Sequence, residues 1–297
     1  MAENRELTKL VFENVRDFDI AGIFESGQCF RFLRGKDGSY TGVVRGCFAN
    51  ISYNNEEDIL TVWSDYMPKS EALRLRFWRN YFDLDRDYKE IKQTLSDSDP
   101  VMERVFLAGG GLRVLNQEPW ETLISFIISQ NSNIPRIRGC IESLCAHFGE
   151  KIGYHENREL YAFPTIRALA GAGEEDLNLC RLGYRAKYIV ETARQVNVDG
   201  GAFLDTADAV SAEKAEKYLL SLSGVGPKVA HCVMLFSMRK TDVFPIDVWM
   251  ARAMNRLYGI DENDHEAMRE FATQNFSPWG GIAQMYLFEY IRHASIS

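Results

Sequence analysis

The sequence predicts an α+β protein in which an N-terminal antiparallel β-sheet domain is followed by an all-helical body. Between about residues 20 and 66, short runs rich in β-branched and aromatic residues alternate with turn signals. After Pro68, apolar residues recur at spacings of three and four, which is typical of one face of a helix. We place the sheet and its flanking helices in residues 1–100 and the helical domain in residues 101–297.

Four short runs make up the predicted sheet: 28–33, 40–44, 48–53 and 59–63. A Gly-Lys-Asp-Gly turn signal at 35–38 ends the first run, and Asn-Asn-Glu-Glu-Asp at 54–58 precedes the last. Because the links are short, consecutive runs should pair antiparallel as a meander.

Helix signals dominate the rest of the chain. A proline at 119 suits the first turn of a helix, where its missing N–H would have had no partner. Six further helices are predicted near 135–148, 185–197, 211–221, 228–238, 248–258 and 279–293.

Charge and cysteine usage exclude several classes of protein. The net charge of −8 argues against a general nucleic-acid binder, so any DNA contact should be made by a local positive surface. The six cysteines form no CxxC pair or zinc-type spacing, so we expect mainly buried, reduced thiols and no metal site. No cysteine follows Cys232, which excludes a four-cysteine iron–sulfur loop in the C-terminal region.

No apolar run approaches the length needed to cross a bilayer, and the N-terminus is charged without an apolar signal core. These features predict an intracellular protein that does not bind membranes.

The most informative motif is Leu-Ser-Gly-Val-Gly-Pro-Lys-Val-Ala at 222–230, inside a helical hairpin predicted over 212–238. Its two glycines can adopt positive φ at little cost, and the following proline opens the second helix. Free amides at that helix start would form a phosphate site from Gly224, Val225 and Gly226. Taken alone, the motif favours an ordinary turn between two helices.

Two charged residues beside the hairpin favour an active site. Lys228 lies in the first turn of a helix, where the helix dipole disfavours a cation. Asp247 lies nineteen residues further on, at the N-cap position of the next helix. An amine can attack a glycosidic carbon, and a carboxylate stabilises the cationic sugar as the base departs. The pair therefore predicts a lysine nucleophile with an assisting carboxylate.

Segments 222–230 and 245–247 resemble the helix–hairpin–helix motif and aspartate of the base-excision DNA glycosylase superfamily, and Lys228 resembles the lysine of its bifunctional members. Three segments are similar to 8-oxoguanine DNA glycosylase/AP lyases: Ser-Gly-Gln-Cys-Phe-Arg at 26–31, Ile-Ser-Gln-Asn-Ser-Asn-Ile-Pro-Arg-Ile at 128–137 and Leu-Gly-Tyr-Arg-Ala-Lys-Tyr at 182–188. The resemblance extends from about residue 20 to residue 292.

The resemblance implies a bifunctional enzyme of base-excision repair that removes 8-oxoguanine, preferentially opposite cytosine, from double-stranded DNA. Its lysine would attack C1′ and form a Schiff base, and β-elimination would follow. No cofactor is expected to be required, although hairpin backbone carbonyls could bind a cation. A monomer is implied, located in the cytoplasm at the nucleoid if the organism is prokaryotic.

The resemblance also assigns four residues to the damaged base. The Gly27 carbonyl would accept a hydrogen bond from the N7 hydrogen that 8-oxoguanine has and guanine lacks. Gln284 would read the Watson–Crick edge, and Phe288 and Cys232 would cover the two faces of the base. For Phe288 and Cys232, ordinary packing in the hydrophobic core explains the residue types equally well.

Four more residues are assigned to the DNA left behind. Asn131 would fill the gap in the base stack, and Tyr184 would wedge between neighbouring bases. Arg136 and Arg185 would hold the orphaned cytosine with their guanidinium donors.

Three positions depart from the family pattern. Trp249 stands where many members have histidine, and Ile291 stands where a polar partner of Phe288 is expected. Ser132 replaces an asparagine in the loop on the cytosine side. Contact with the phosphate 5′ to the lesion is the function most affected.

Three other hypotheses remain. A monofunctional alkyl-purine DNA glycosylase would need no amine, so Lys228 counts against it. A non-enzymatic helix–hairpin–helix scaffold would explain the hairpin but not Lys228, Asp247, Gln284 and Phe288 together. An unrelated helical protein would make all these matches coincidental.

Overall fold

A five-stranded antiparallel sheet occupies the N-terminal part of the computed structural model, which describes residues 6–66, 68, 70–155 and 158–294. The strand order is β1-β5-β4-β3-β2. The strands are β1 (Thr8–Phe12), β2 (Leu33–Arg34), β3 (Tyr40–Val44), β4 (Cys47–Asn54) and β5 (Ile59–Ser64). The antiparallel meander from β2 to β5 is confirmed, whereas β1 lies outside the stretch predicted to form strands.

The predicted strand over 28–33 is wrong except for Leu33, which belongs to β2. The preceding Gly27 has a φ of +83°, so the chain turns there. The buried Gln28 amide donates to the carbonyls of Ile23 and Arg113, and its Oε1 accepts from the Leu115 N–H. Side-chain bonds to distant backbone therefore replace the ladder of a strand.

Fourteen α-helices and one 3₁₀ segment are present among the described residues. The first four are α1 (Ile20–Glu25), α2 (Glu71–Tyr81), α3 (Tyr88–Ser98) and α4 (Pro100–Ala108). The middle of the chain forms α5 (Pro119–Ser129), α6 (Ile134–Phe148), α7 (Ile166–Ala170), the 3₁₀ segment Glu175–Cys180, α8 (Arg185–Asn197) and α9 (Ala202–Asp205). The last five are α10 (Ala212–Leu220), α11 (Pro227–Ser237), α12 (Val248–Tyr258), α13 (His265–Phe276) and α14 (Gly280–Ala294).

The α+β fold class is confirmed, and the six predicted helix ranges after 119 each agree with the structure to within one residue at either end. A two-stranded hairpin, β6 (Lys151–His155) and β7 (Arg158–Tyr161), interrupts the helical body and was not predicted. Its strands are mostly exposed or half-buried, so no apolar alternation identifies them in the sequence.

A helical core positions the residues of interest. Helix α5 contacts α6, α8 and α11, and its residues 120–128 are all buried except Glu121. Every residue of α11 from Val229 to Ser237 is buried. The N-terminus of α11, which carries Lys228, is thus held by a helix that is packed on all sides.

Five of the six cysteines are buried, and Cys47 is half-buried. None of the described helices is both long and apolar enough to span a bilayer.

Candidate active site

The link between α10 and α11 is a tight hairpin whose two glycines differ. Gly224 has a φ of +71°, and a Cβ there would lie 2.5 Å from Cγ of Tyr188, so only glycine fits. Gly226 has a φ of −96°, so the expectation that both glycines could use positive φ holds only for Gly224. A Cβ at Gly226 would meet no described atom within 4 Å. Gly226 therefore faces open space, as a phosphate site requires.

The hairpin is anchored from two sides by hydrogen bonds. Thr192 of α8 donates to the Ser223 carbonyl at 2.6 Å, and Gln195 accepts from the Ser223 N–H at 2.8 Å. Gln130, just after α5, donates to the Gly224 carbonyl at 2.9 Å. These bonds fix the hairpin relative to the core, so its outward amides keep a defined direction.

Lys228 is half-buried in the first turn of α11. Its Nζ lies 3.4 Å from Ser129 Oγ and 5.0 Å from the centroid of the Phe126 ring. Cys232 follows one turn later, and burial raises the pKa of its thiol to about 11, against the opposing effect of the Lys228 charge. A neutral thiol and an aromatic ring thus flank the amine.

Asp247 is the N-cap of α12, as predicted. Its Oδ1 accepts from the Met250 N–H at 2.9 Å, which leaves the carboxylate at the positive end of the helix dipole. The segment before it packs inward, since Phe244, Pro245 and Ile246 are buried.

One cavity of about 60 Å³ brings the predicted residues together. All six residues assigned to catalysis and to the damaged base line it, although they are up to 261 positions apart (288 − 27). They are Gly27, Lys228, Cys232, Asp247, Gln284 and Phe288. Larger clefts of about 500 and 570 Å³ elsewhere contain neither Lys228 nor Asp247.

The cavity has further walls that the sequence did not reveal: Ser26, Gln28, Phe126, Phe236, Pro245 and Met285. Phe126 and Phe236 stack with ring centroids 5.5 Å apart. Their positions inside apolar helices give no signal that separates a pocket wall from ordinary core.

Gly27 and Phe288 line the cavity from two different elements that Arg292 connects. The Arg292 guanidinium lies 5.9 Å from the Phe288 ring centroid and donates to the Glu25 carbonyl at 2.9 Å. Arg292 therefore fixes α14 against the end of α1. The spacing of four residues from Phe288 was the signal that could have identified it.

The residues assigned to the opposite strand lie outside this cavity. Asn131 is exposed with a φ of +46°, Arg136 is exposed, and Tyr184 is 54% exposed. Arg185 is only 4% exposed and donates to the carbonyls of Gln130 and Asn131. Its guanidinium also lies 4.5 Å from the Tyr184 ring centroid. Arg185 thus holds the loop that carries Asn131.

The three departures from the family pattern occupy different environments. Trp249 is 37% exposed, and the Arg252 guanidinium lies 5.3 Å from its ring centroid. Ile291 is buried, and Ser132 is half-buried. An aromatic ring with a cation beside it therefore stands at the start of α12, next to Asp247.

Two family models match consecutive parts of the chain. The N-terminal domain of 8-oxoguanine DNA glycosylase matches residues 10–123, and the HhH-GPD superfamily base excision DNA repair protein matches residues 124–278.

Individual proteins are also similar to this chain over most of its length. The N-glycosylase/DNA lyase of Saccharomyces cerevisiae is 32% identical over 88% of this chain and 73% of its own. The probable N-glycosylase/DNA lyase of Methanothermobacter thermautotrophicus is 30% identical over 95% of this chain and 96% of its own.

Solved structures show the same relationship. The Clostridium acetobutylicum 8-oxoguanine glycosylase/lyase, in complex with double-stranded DNA containing cytosine opposite 8-oxoguanine, superposes with a TM-score of 0.88. It is 35% identical, and the match covers 97% of this chain and 98% of that one. The 3-methyladenine DNA glycosylase of Archaeoglobus fulgidus has a TM-score of 0.80 but 22% identity, over 97% of this chain and 100% of that one, so it shows the fold alone.

Proposed function

Because the chain belongs to the HhH-GPD superfamily of base excision DNA repair proteins, with the N-terminal domain of 8-oxoguanine DNA glycosylases, we propose the roles of its individual residues from the site geometry. The protein is a bifunctional DNA glycosylase/AP lyase that acts on 8-oxoguanine in DNA. The observation that supports the roles best is the convergence of Lys228 and Asp247 with Gly27, Gln284 and Phe288 on one cavity.

Lys228 is the nucleophile. As a free amine, its Nζ attacks C1′ of the damaged nucleotide, and the glycosidic electron pair leaves with the base. The ring-opened sugar is then a Schiff base of Lys228, and loss of a C2′ proton expels the 3′ phosphate by β-elimination. Hydrogen bonding to the Ser129 hydroxyl aims the amine without an anionic partner.

Asp247 stabilises the positive charge that develops on the sugar. Its Oδ1 is fixed by the Met250 N–H, so the carboxylate needs little reorganisation during the reaction. A neutral Cys232 thiol beside Lys228 adds no competing negative charge.

Damaged-base recognition falls to the other walls of the cavity. The Gly27 carbonyl accepts from the N7 hydrogen of 8-oxoguanine, and a single such bond is worth about 1–3 kcal/mol because normal guanine would leave it unpaired. Gln284 bonds to the Watson–Crick edge, and Phe288 and Cys232 cover the two faces. Flipping the nucleotide is required, since these groups cannot reach a base inside a duplex.

Preference for cytosine is assigned to residues around the loop between α5 and α6. Exposed Arg136 reads the cytosine directly, whereas buried Arg185 supports the loop through its bonds to Gln130 and Asn131. Asn131 fills the gap in the stack, and exposed Tyr184 wedges between bases.

The hairpin amides of Gly224 and Gly226 hold a DNA phosphate, whereas the Val225 N–H, which was also expected to contribute, donates to the Leu222 carbonyl at 3.3 Å. HhH-GPD glycosylases generally need no cofactor, and we propose none for catalysis. The Ser223 and Gly224 carbonyl oxygens each accept one hydrogen bond, from Thr192 and Gln130, so a cation bound by the hairpin would use their second lone pairs or the neighbouring carbonyls.

The partner is double-stranded DNA containing oxidised guanine, and we propose that a monomer binds it, because the six residues assigned to catalysis and to the damaged base meet within one chain. A DNA substrate also favours an intracellular location, in the cytoplasm at the nucleoid if the organism is prokaryotic.

The alternative of a monofunctional alkyl-purine glycosylase is less supported, because Lys228 is placed in the cavity where such an enzyme needs no amine. Substrate and opposite-base choice are tested together, under single-turnover conditions, with duplexes that carry 8-oxoguanine opposite each of the four bases and with a duplex that carries an alkylated purine. We expect the fastest cleavage opposite cytosine; faster release of an alkylated purine than of 8-oxoguanine contradicts the proposal.

A further inference from the structure

His231 joins the three elements that build the site, although it does not line the cavity. It lies in α11, three residues after Lys228, and is only 9% exposed. Its Nε2 is 2.9 Å from Oε1 of Glu216 on α10, and its Nδ1 is 3.3 Å from the Phe244 carbonyl oxygen. Phe244 precedes Asp247 by three residues, so one side chain connects the hairpin helices to the segment that carries the carboxylate.

Each ring nitrogen of His231 contacts a different group. The Phe244 carbonyl can only accept, so its contact with His231 is a hydrogen bond when Nδ1 carries a proton. On the other side of the ring, Nε2 lies 2.9 Å from the Glu216 carboxylate, which fixes the orientation of the imidazole.

Burial of Phe244, Pro245 and Ile246 and the hydrogen bond from His231 together hold the segment that leads to Asp247. Pro245 has no N–H and cannot contribute a backbone donor. Asp247 begins α12 through its bond to the Met250 N–H, which fixes the carboxylate relative to its own helix but not relative to α11. The bond from His231 to the Phe244 carbonyl connects this segment, and with it the Asp247 carboxylate, to α11.

We propose that His231 is a positioning residue that sets the distance between the Asp247 carboxylate and the Lys228 amine through the Phe244 carbonyl. The inference rests on the role of Asp247 given under the proposed function. A displacement of about 1 Å in a reacting group can cost roughly 100-fold in rate, so the anchor should affect chemistry more than binding.

Two substitutions separate the two contacts of the ring. The amide nitrogen of His231→Asn can occupy the place of Nδ1 and keep the Phe244 contact, whereas that of His231→Gln reaches the place of Nε2 and keeps only the Glu216 contact. Both remove the ring and its packing, so each is the control for the other. The readouts are the single-turnover excision rate, the Kd for a duplex with a tetrahydrofuran abasic analogue, and the Tm.

The excision rate of His231→Gln should be about tenfold or more below that of His231→Asn, with equal Kd values and similar Tm values. Equal excision rates in the two variants, or a loss that follows Tm, would overturn the positioning role. Asp247→Asn is assayed in parallel. If it excises 8-oxoguanine at the native rate, the proposed role of Asp247 is wrong. If it is inactive while the two His231 variants have equal excision rates, only the inference about His231 is wrong.

A further test uses the native enzyme, so its result does not depend on whether a variant folds. Nitrogen-15 NMR of labelled histidine should show a proton on Nδ1 of His231. A bare Nδ1 would contradict the proposal, because no hydrogen bond could then be donated to Phe244.

Discussion

The Lys228 amine donates to the Ser129 hydroxyl at 3.4 Å, which connects the start of α11 to the end of α5. Among the described residues, no carboxylate forms an ion pair with Lys228. A carboxylate partner would hold the amine as an ammonium, whereas a hydroxyl can equally accept from the ammonium or donate to the free amine. The geometry therefore suits a nucleophile that must lose its proton.

Asp247→Asn should lower the single-turnover excision rate by roughly 10²–10³, the scale of losing one preorganised stabilising group. The Asn side chain can still accept from the Met250 N–H, so the α12 cap and the Tm should be preserved. Rate and thermal unfolding are measured on the same preparation. Full activity in this variant would show that the carboxylate charge is irrelevant.

Gly224→Ala and Gly226→Ala form a matched pair in the hairpin. Gly224→Ala must place a Cβ 2.5 Å from the Tyr188 ring at positive φ, so we expect a loss of at least about 1–3 kcal/mol in the free energy of unfolding. Gly226→Ala meets no described atom within 4 Å and should fold normally, but its methyl group stands where a phosphate approaches. Denaturant unfolding and the Kd for an abasic duplex distinguish the two variants. If Gly226→Ala bound the duplex with the native Kd, the surface around Gly226 would not be part of the DNA interface.

Arg136→Ala and Arg185→Ala should both relax the preference for cytosine, but with different costs in stability. Arg136 is exposed, so its loss should remove about 1–3 kcal/mol of discrimination with little change in Tm. Arg185 is buried and holds the carbonyls of Gln130 and Asn131, so its loss should also lower the Tm. The check is the ratio of excision rates opposite cytosine and opposite adenine. An unchanged ratio in Arg136→Ala would exclude it as a reader of cytosine.

Glu121, in the first turn of α5, should make the free energy of unfolding depend on pH. Its side chain is only 19% exposed, and this partial burial raises the pKa of the carboxyl to about 7, despite the lowering effect of nearby Arg31. Between about pH 4.5 and 7 the folded state then holds a proton that the unfolded state releases, so stability falls as the pH rises through this window. Glu121→Gln should flatten the slope, by about 2 kcal/mol across the window. Identical slopes for native and variant, measured by denaturant unfolding, would contradict the assigned shift.

How far the sequence predicts the structure depends on whether the determining contacts are local. Lys228 and Asp247 were placed correctly because a first turn and an N-cap are defined by a few neighbouring residues. The strand predicted over 28–33 was wrong because Gln28 bonds to backbone more than 80 residues away, which no local pattern records. Nor could the pattern around Arg185 show that its guanidinium is buried against a loop 54 residues earlier.

Residue spacing in the sequence identifies some of the residues that line the cavity but not all of them. Gln284 and Phe288 share a helix face and both line the cavity, as four-residue spacing predicts. Phe126 and Phe236 line it equally, but their apolar surroundings resemble ordinary core in sequence. The domain boundary at residue 100 and the roles of the individual site residues stay predictions.

The most direct test is borohydride trapping with a duplex that carries 8-oxoguanine opposite cytosine, using the native enzyme and Lys228→Gln. Reduction of a Schiff base between Lys228 and the sugar should cross-link the native enzyme to DNA. Lys228→Gln should give no cross-link and no excision, while it binds the damaged duplex with a Kd close to the native value, because other groups provide the DNA contacts. Efficient trapping of Lys228→Gln would show that a different amine performs the chemistry.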